Sequence, residues 1–200
     1  MKSSFICACW QGCSKAPGAN VRVHLVRHLA PLVATGTCYG STDLAVDPAA
    51  QALALPSLRA RLPIGAAVIS SPLRRCAQLA SQLSAQLRFD ARLAELDFGA
   101  WEMRAWDQIP RAEIDAWAAA VDTYRPGGGE SVLDMAQRID AFYAALMPQP
   151  WADVVVVCHA GTIRLLCARQ AGLNPADMAR DAAQRPHAIG YGEIVVLDCV

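Results

Sequence analysis

The sequence predicts an α/β fold, a three-layer α/β/α sandwich around a mostly parallel central sheet. Short apolar runs of strand length recur along the chain, and Ala- and Leu-rich stretches of helical length separate them. Strands that alternate with helices are typical of parallel sheets covered on both faces. The 200 residues are 54% hydrophobic and 18% charged, a composition that suits one globular domain with a sizeable core.

Four strands are expected. The first is predicted at 21–26, where apolar and polar residues alternate before Val26 closes the run. The others are apolar runs at 66–70, 154–158 and 194–199. Their length and their content of Val and Ile favour buried strands over helices.

Five helices are expected between the strands. Their predicted ranges are about 48–62, 73–87, 110–121, 132–147 and 162–171. Ser71 and Pro72 have the residue types of an N-cap and a first-turn proline for the second helix. Ser131 with Asp134 resembles a weaker form of the capping box at the start of the fourth helix.

Residues 1–20 are predicted to be a loose leader, followed by a single domain at 21–200. Three cysteines crowd this leader, Cys7, Cys9 and Cys13, but their spacing is not a standard zinc pattern and no His lies nearby. The other five are scattered, and free, mostly buried cysteines are typical of a reduced cytoplasmic protein. These five are Cys38, Cys76, Cys158, Cys167 and Cys199.

The charge balance argues against nucleic acid or a membrane as a partner. Eighteen basic and eighteen acidic side chains cancel, so no overall positive field attracts a polyanion. No apolar run approaches the roughly 18 residues that a membrane-spanning helix needs. Any affinity for anions must therefore come from a local cluster of Arg and His.

Such a cluster is predicted where three strands end. The first ends in Arg27 and His28, the second runs into "SPLRR" at 71–75, and the third is followed by His159. Ligands of open α/β sheets bind beyond the carboxyl ends of the strands, where helix N-termini also offer N–H groups to an anion. We therefore expect a phosphate-sized pocket at this edge of the sheet.

Four segments, taken in order, resemble the motifs of the histidine phosphatase superfamily. They are "LVRHLA", "SSPLRRCAQLA", "LAELDFGAWE" and "VVCHAGTIRLL". The segments "CYGSTDLAVD", "ELDFGAWEMRAWDQIP" and "PGGGES" look most like the alpha-ribazole phosphatase branch, whose members dephosphorylate a precursor of the lower cobalamin ligand. The resemblance covers about residues 21–200, and it implies the phosphoglycerate mutase-like version of the predicted fold.

The resemblance implies a role for each motif residue. His28 would be the nucleophile, Arg27 and Arg75 would hold the phosphoryl oxygens, Glu95 would be the acid, and His159 would be a further donor to the phosphoryl group. This assignment is chemically sensible, because a neutral imidazole is nucleophilic near pH 7 and guanidinium groups bind phosphate through paired N–H groups. With that much fixed positive charge, no metal ion or other cofactor is expected.

Several residues depart from the family pattern or fit more than one role. Leu29 stands where the family usually has Gly, and Ala34 where it often has a phosphate-binding Asn. Tyr39 is a candidate for substrate binding, with packing as the alternative. Trp101, Trp106 and Trp117 form either a wall at the substrate entrance or plain core. Structural or exposed positions are expected for Arg74, Arg164, His24 and His187.

The predicted partner is a small-molecule phosphomonoester, and a homodimer is left open. A cofactor-dependent phosphoglycerate mutase is one alternative, because the same pocket can return the phosphoryl group to an organic acceptor. An inactive phosphoester-binding domain is another, motivated by Leu29 and Ala34. A metallohydrolase built on His28 and His159 lacks a carboxylate-rich or clustered-His motif.

Overall fold

The computed structural model describes residues 20–184 and 188–199, and it confirms the predicted architecture. Five strands form the sheet: β1 (Val21–Arg27), β2 (Ala67–Ser70), β3 (Leu87–Phe89), β4 (Asp153–Cys158) and β5 (Ile194–Cys199). Their order is β3-β2-β4-β1-β5. Only β5, which pairs with β1, is antiparallel to its neighbour. The predicted leader (except Asn20), its three cysteines and His187 lie outside the described residues.

Six α-helices accompany the sheet in the described ranges. They are α1 (Pro48–Arg61), α2 (Arg74–Leu83), α3 (Arg111–Ala119), α4 (Val132–Leu146), α5 (Ala160–Gln170) and α6 (Pro175–Gln184). Four short 3₁₀ helices lie in the segment between β3 and α4, at Ala91–Leu93, Gly99–Trp101, Trp106–Gln108 and Pro126–Gly128. None of the helices described is long and apolar enough to cross a membrane.

Two apolar clusters lie on opposite faces of the sheet and explain the three layers. On one face, α4, α5 and α6 pack against alternate residues of the central strands, including Leu25 and Val156. On the other face, α1 and α2 pack against residues such as Val26 and Val157. Alternation along a strand sends successive side chains to opposite faces, so each central strand contributes to both clusters.

Two sequence-based expectations about α2 need correction. The helix predicted at 73–87 ends at Leu83, and the strand β3 follows it. Ser71 does not cap α2, because the N-cap position is Leu73 and the helix begins at Arg74. A carboxylate from elsewhere supplies the missing acceptor: Oδ1 of Asp43 accepts the backbone N–H of Arg74 at 2.6 Å.

The remaining helix starts are also informative. The helix predicted from Thr162 begins two residues earlier, at Ala160, so His159 itself occupies the N-cap position. The capping box of α4 is present with both of its hydrogen bonds, between Ser131 and Asp134. The helix α6 was not predicted, although Asn174 accepts a hydrogen bond from the N–H of Asp177 in the manner of an N-cap.

Candidate active site

The predicted residues meet around one cavity of about 720 Å³ at the carboxyl edge of the sheet. Its wall includes Arg27, His28, Tyr39, Arg75 and Glu95. His159, which is fully buried, lies beside this wall, with its ring centroid 5.0 Å from that of His28. The structure thus brings together all six candidate residues, which come from five separate stretches of the chain.

His28 has the geometry of a neutral nucleophile. Its Nδ1 lies 2.7 Å from the carbonyl oxygen of Leu29, and a carbonyl can only accept, so Nδ1 carries the proton. Burial lowers the pKa of His28 to about 3; the hydrogen bond to Leu29 opposes this shift, and the charges of Arg75 and Arg27 add to it. At neutral pH the imidazole is therefore uncharged, and its Nε2 holds an unprotonated lone pair.

His159 is neutral in the opposite tautomer. Nε of Arg75 donates to its Nδ1 at 3.3 Å, which requires a lone pair on Nδ1 and a proton on Nε2. That Nε2–H donates to the Oγ of Ser71 at 2.8 Å. Burial, followed by the charges of Arg75 and His28, holds the pKa of His159 well below its usual value. To donate to a phosphoryl oxygen, this proton must leave Ser71.

Arg75 is a fully buried cation held by backbone carbonyls. Its Nη1 donates to the carbonyl of Thr42 at 2.7 Å, and its Nη2 donates to the carbonyl of Gly40. A guanidinium has five N–H groups. The two carbonyls and Nδ1 of His159 accept three of them. Two remain for an anion in the cavity. The neighbouring Arg74 is exposed, as expected from the sequence.

Arg27 is held by a segment that the sequence did not point to. Its Nη1 donates to the carbonyl of Ile189 at 2.5 Å, and its guanidinium lies 4.0 Å from the ring centroid of Tyr191. Its Nε has no hydrogen-bond partner among the residues that the structure describes. Tyr191 also lies beside His28 and forms a 2.7 Å hydrogen bond with the hydroxyl of Tyr39. Burial raises the pKa of Tyr39, so its hydroxyl remains protonated at neutral pH.

Glu95 is oriented by the first turn of α5. Its Oε2 accepts the backbone N–H of Gly161 at 3.1 Å, and its Oε1 accepts the backbone N–H of Leu96, also at 3.1 Å. Arg138 fixes the backbone around it by donating to the carbonyls of Ala94, at 2.7 Å, and of Glu95. The same guanidinium pairs with Glu130 at 2.6 Å. Glu95 thus faces the cavity from a firmly held segment.

The rest of the cavity wall is largely apolar and aromatic. Trp106 and Trp117 stack with ring centroids 6.2 Å apart and planes 7° from parallel. Phe98 meets both of them edge to face. Trp101 is fully buried against Cys38 and belongs to a separate core cluster. Two of the three candidate tryptophans therefore line the cavity, and the third is core.

The two departures from the family motif do not crowd the cavity. The Leu29 side chain is buried in the cluster that covers the opposite face of the sheet from α4, and it is absent from the cavity wall. Ala34 is exposed in a turn, where its carbonyl accepts the N–H of Thr37. Thr37 itself contributes to the wall. The side chain of Leu29 therefore leaves the phosphate region open.

Two other residues have clear positions. His24 is structural, because it is buried and its Nε2 lies 2.9 Å from Oδ1 of Asp153. Arg164 corrects the expectation of a purely local helix residue: it lines the cavity, and burial lowers its pKa against the opposing influence of Glu95 and Asp181. Among the described residues, no group of three or more His, Cys, Asp or Glu side chains is placed to hold a metal ion.

Sequence reasoning missed Ser71 and Tyr191 as parts of the site. Ser71 directly follows β2, at the same edge as His28 and His159, so its position in the topology could have indicated it. Tyr191 precedes β5, and β5 is antiparallel to β1. The beginning of an antiparallel edge strand therefore lies at the carboxyl edge of its parallel neighbours, which a prediction of strand direction would have shown.

Comparison with known proteins agrees with this geometry. A family model described as "Histidine phosphatase superfamily (branch 1)" matches residues 23–190. An adenosylcobalamin/alpha-ribazole phosphatase of Escherichia coli is 32% identical over 85 residues, which are 40% of this chain and 42% of that protein. A glucosyl-3-phosphoglycerate phosphatase of Mycobacterium tuberculosis is 34% identical over 118 residues, which are 50% of this chain and 52% of that protein. The chain thus spans about half the length of the curated relatives it matches.

Solved structures match over more of the chain. The native structure of a mycobacterial glucosyl-3-phosphoglycerate phosphatase has a TM-score of 0.71 at 26% identity, and the match covers 88% of this chain and 89% of that one. The alpha-ribazole phosphatase of Shigella flexneri has a TM-score of 0.75 at 24% identity, with 89% and 90% covered. The second likeness is one of fold.

Proposed function

This chain belongs to the histidine phosphatase superfamily (branch 1), and we propose that it hydrolyses phosphomonoesters through a phosphohistidine formed on His28. One observation carries the proposal. The 2.7 Å hydrogen bond from Nδ1 of His28 to the carbonyl of Leu29 fixes the tautomer whose free lone pair is on Nε2. A buried neutral imidazole beside two guanidinium groups is a nucleophile placed next to an anion-binding site.

In the first step, Nε2 of His28 attacks phosphorus, and the bond from phosphorus to the leaving oxygen breaks. Arg27 and Arg75 bind the phosphoryl oxygens, on which negative charge is spread in a loose transition state. His159 donates a further hydrogen bond once its Nε2–H turns from Ser71 to the phosphoryl group. Because both histidines are neutral beforehand, the positive charge beside His28 comes from Arg27 and Arg75.

Glu95 completes both halves of the reaction. In its acid form it gives a proton to the departing alkoxide, so that the alcohol leaves neutral. The resulting carboxylate then takes a proton from the water that attacks the phosphohistidine, which releases phosphate and returns His28 and Glu95 to their starting states. Fixation by Gly161 and Arg138 keeps this carboxyl group in place for both steps.

For the substrate, we propose alpha-ribazole phosphate. The leaving group of this ester is a nucleoside, and the stacked Trp106 and Trp117 with Phe98 offer a flat apolar surface to its aromatic base. A polar sugar acid would gain little from that surface. The relative in Escherichia coli is named for this activity, which supports the proposal.

A second candidate substrate is glucosyl-3-phosphoglycerate. Arg164 lies on the cavity wall, where its charge suits the carboxylate of a phosphoglycerate. The mycobacterial relatives carry that name. The two candidates thus depend on different walls of one cavity, which makes them separable.

Phosphate release from alpha-ribazole phosphate, glucosyl-3-phosphoglycerate and 3-phosphoglycerate tests these proposals. We expect the highest kcat/KM on alpha-ribazole phosphate, with roughly tenfold loss in Trp106→Leu and little change in Arg164→Gln. The reverse pattern on glucosyl-3-phosphoglycerate would select the second candidate. Isomerisation of 3-phosphoglycerate without phosphate release would identify a mutase, and no turnover on any ester would identify a binding domain.

A cytoplasmic location is part of the proposal. The five cysteines among the described residues are free, and four of them are buried. Unpaired cysteines in this number are typical of a reducing compartment.

A further inference from the structure

Glu102 is an acidic residue outside the reacting group, and its carboxylate is saturated with hydrogen bonds. Its Oε1 accepts the backbone N–H groups of Ser41, at 2.8 Å, and Phe98, at 3.1 Å. Its Oε2 accepts those of Gly40, at 3.1 Å, and Thr42, at 3.0 Å. The hydroxyls of Ser41 and Thr42 also donate to it. Three consecutive N–H groups therefore surround one carboxylate, as they would surround a bound anion.

The same turn, 40–42, contacts Arg75 through its carbonyl groups. The carbonyls of Gly40 and Thr42 accept from the two terminal nitrogens of Arg75. The peptide group between Gly40 and Ser41 thus links the two side chains directly, because its N–H donates to Glu102 and its carbonyl accepts from Arg75. Gly40 is required for this close packing, because a Cβ at that position would lie 1.8 Å from the carbonyl oxygen of Leu96.

This arrangement solves an electrostatic problem of the phosphate site. A buried cation must be compensated, but a carboxylate paired directly with Arg75 would occupy the N–H groups that phosphate needs. In the part of the chain that the structure describes, Arg75 makes no ion pair with a carboxylate. It contacts two carbonyls and His159 instead. Hydrogen bonds outweigh burial and hold the pKa of Glu102 below its usual value, so the residue is charged at neutral pH.

We propose that Glu102 is the positioning residue for Arg75. Its carboxylate fixes the turn 40–42, the turn's carbonyls fix the guanidinium, and the guanidinium then presents its remaining N–H groups to the phosphoryl group and its Nε–H to His159. The inference rests on the proposed function, because it assigns phosphate binding to Arg75. The acid keeps its negative charge one peptide group away from the cation, so the charge of Arg75 remains available to the substrate.

The test is the affinity for inorganic phosphate, measured by calorimetry at a temperature where every variant is folded. Glu102→Gln preserves the shape of the side chain, but its amide NH₂ faces N–H donors of the turn. We expect phosphate affinity to fall roughly tenfold, about the effect of weakening the equivalent of one charged hydrogen bond. Asp47→Ala is the matched control, because it removes a carboxylate that accepts a backbone N–H at the start of α1, and its phosphate affinity should equal that of the wild type.

The outcomes are separable. Phosphate affinity within twofold of the wild type in folded Glu102→Gln would overturn the inference while leaving the proposed function intact. Should Glu102→Gln not fold, Thr42→Val serves instead, because it removes one hydroxyl group that donates to Glu102. The affinity for phosphate should then fall two- to fivefold. An unchanged affinity in Thr42→Val would overturn the inference. If the wild type binds no phosphate at all, or binds it as tightly after Arg75→Ala, the assumed role of Arg75 is wrong, and the inference is overturned with it.

Discussion

Individual residues in this site depend on burial for their chemistry. His28 and His159 are both neutral because they are buried beside cations, and single hydrogen bonds assign their tautomers. The two rings are therefore complementary, one with a lone pair on Nε2 and the other with a proton there. The difference arises from what each Nδ1 contacts, a carbonyl oxygen in one case and a guanidinium N–H in the other.

The lowered pKa of His28 leads to the first prediction. In the free enzyme, the imidazole resonances of His28, assigned by comparison with His28→Asn, should not move between pH 8 and pH 5, because its pKa is about 3. An ordinary exposed histidine titrates near pH 6.5 in that range. NMR of the free protein makes the measurement, and a midpoint near 6.5 for His28 would show that the ring is solvated.

The lowered pKa of His28 also makes the stability of the fold depend on pH. The unfolded His28 takes up a proton below about pH 6.5, whereas the folded one stays neutral until about pH 3. Its contribution to stability is therefore complete above pH 6.5 and is lost as the pH falls towards 3, with a slope of up to about 1.4 kcal/mol per pH unit for each such histidine. Removal of the imidazole in His28→Asn should make urea-unfolding free energies less dependent on pH between 6 and 4.

Glu95 allows a second prediction, through the leaving group. Glu95→Gln should slow alkyl phosphates by roughly a hundredfold or more, because a poor leaving alcohol must be protonated as it departs. The leaving group of an aryl ester such as p-nitrophenyl phosphate departs as an anion without a proton. The rate of phosphoryl transfer from this ester should therefore fall far less. The comparison uses single-turnover rates, since in the proposed mechanism Glu95 also assists the later attack of water.

Arg75→Ala is the control for that experiment. In the proposed mechanism the guanidinium of Arg75 holds the phosphoryl group whatever the leaving group is. Single-turnover rates on the alkyl and the aryl ester should therefore fall by the same factor. Equal losses on alkyl and aryl esters in Glu95→Gln would mean that another residue is the acid. Asp97, two positions further along the chain, would then be the next candidate.

Sequence reasoning located the two histidines and the two arginines because each lies in a short motif at the end of a predicted strand, whereas it assigned Glu95 through the family resemblance. It could not find the residues that support them through folding. Tyr191 contacts Arg27 from 164 positions away, and Glu102 reaches Arg75 only through the peptide groups of the turn 40–42. A single sequence shows neither connection, because both arise from tertiary packing.

Among the secondary-structure elements, the first turn of α5 has the greatest influence on the chemistry. It begins at His159 as N-cap, and its Gly161 presents a backbone N–H to Glu95. The absence of a side chain at Gly161 is required there, because a Cβ would lie 2.3 Å from Oε1 of Glu95. The start of this helix thus positions one histidine and one acid together.

Gly161→Ala therefore gives a third prediction. Alanine stabilises a helix by up to about 1 kcal/mol relative to glycine, so the thermal stability of the variant should not fall. The carboxyl group of Glu95 must nevertheless move aside, and we expect a loss of roughly ten- to hundredfold on alkyl phosphates. Melting curves and single-turnover rates make the measurement. Unchanged alkyl-phosphate rates, or a loss as large on p-nitrophenyl phosphate, would show that the position of Glu95 is not what Gly161 protects.

The elements also show where prediction from sequence ends. The apolar strands and the Ala-rich helices were predicted because periodicity and composition agree within each of those segments. The strand β3 is three residues long, too short for a pattern, and its pairing with β2 creates it. Ser71 looked like a cap, but its hydroxyl is engaged by His159, and Asp43 from a distant loop accepts the N–H of Arg74 instead.

The sheet as a whole explains why these groups meet. Because β1, β2 and β4 are parallel neighbours, the residues that follow them converge at one edge, as the sequence predicted. The aromatic part of the cavity wall comes from the stretch between β3 and α4, which includes Trp117 of α3, and the unpredicted helix α6 contributes to the same wall.

The concentration of fixed positive charge leads to a fourth prediction. In the proposed mechanism Arg27 and Arg75 stabilise the transferring phosphoryl group, so a chelator such as EDTA should leave the hydrolysis rate unchanged within error. Rates on p-nitrophenyl phosphate before and after prolonged dialysis against chelator make the test. Activity that disappears and then returns with zinc or manganese would instead support a metallohydrolase.

Covalent transfer to His28 is the central claim, and rapid-quench trapping tests it most directly. With a ³²P-labelled substrate, the enzyme should accumulate protein-bound phosphate that is labile in acid and stable in alkali, and peptide mapping should place it on His28. His28→Ala should show neither label nor turnover. An enzyme that turns over at full rate without such a label, or a His28→Ala variant that works at the wild-type rate, would contradict the mechanism.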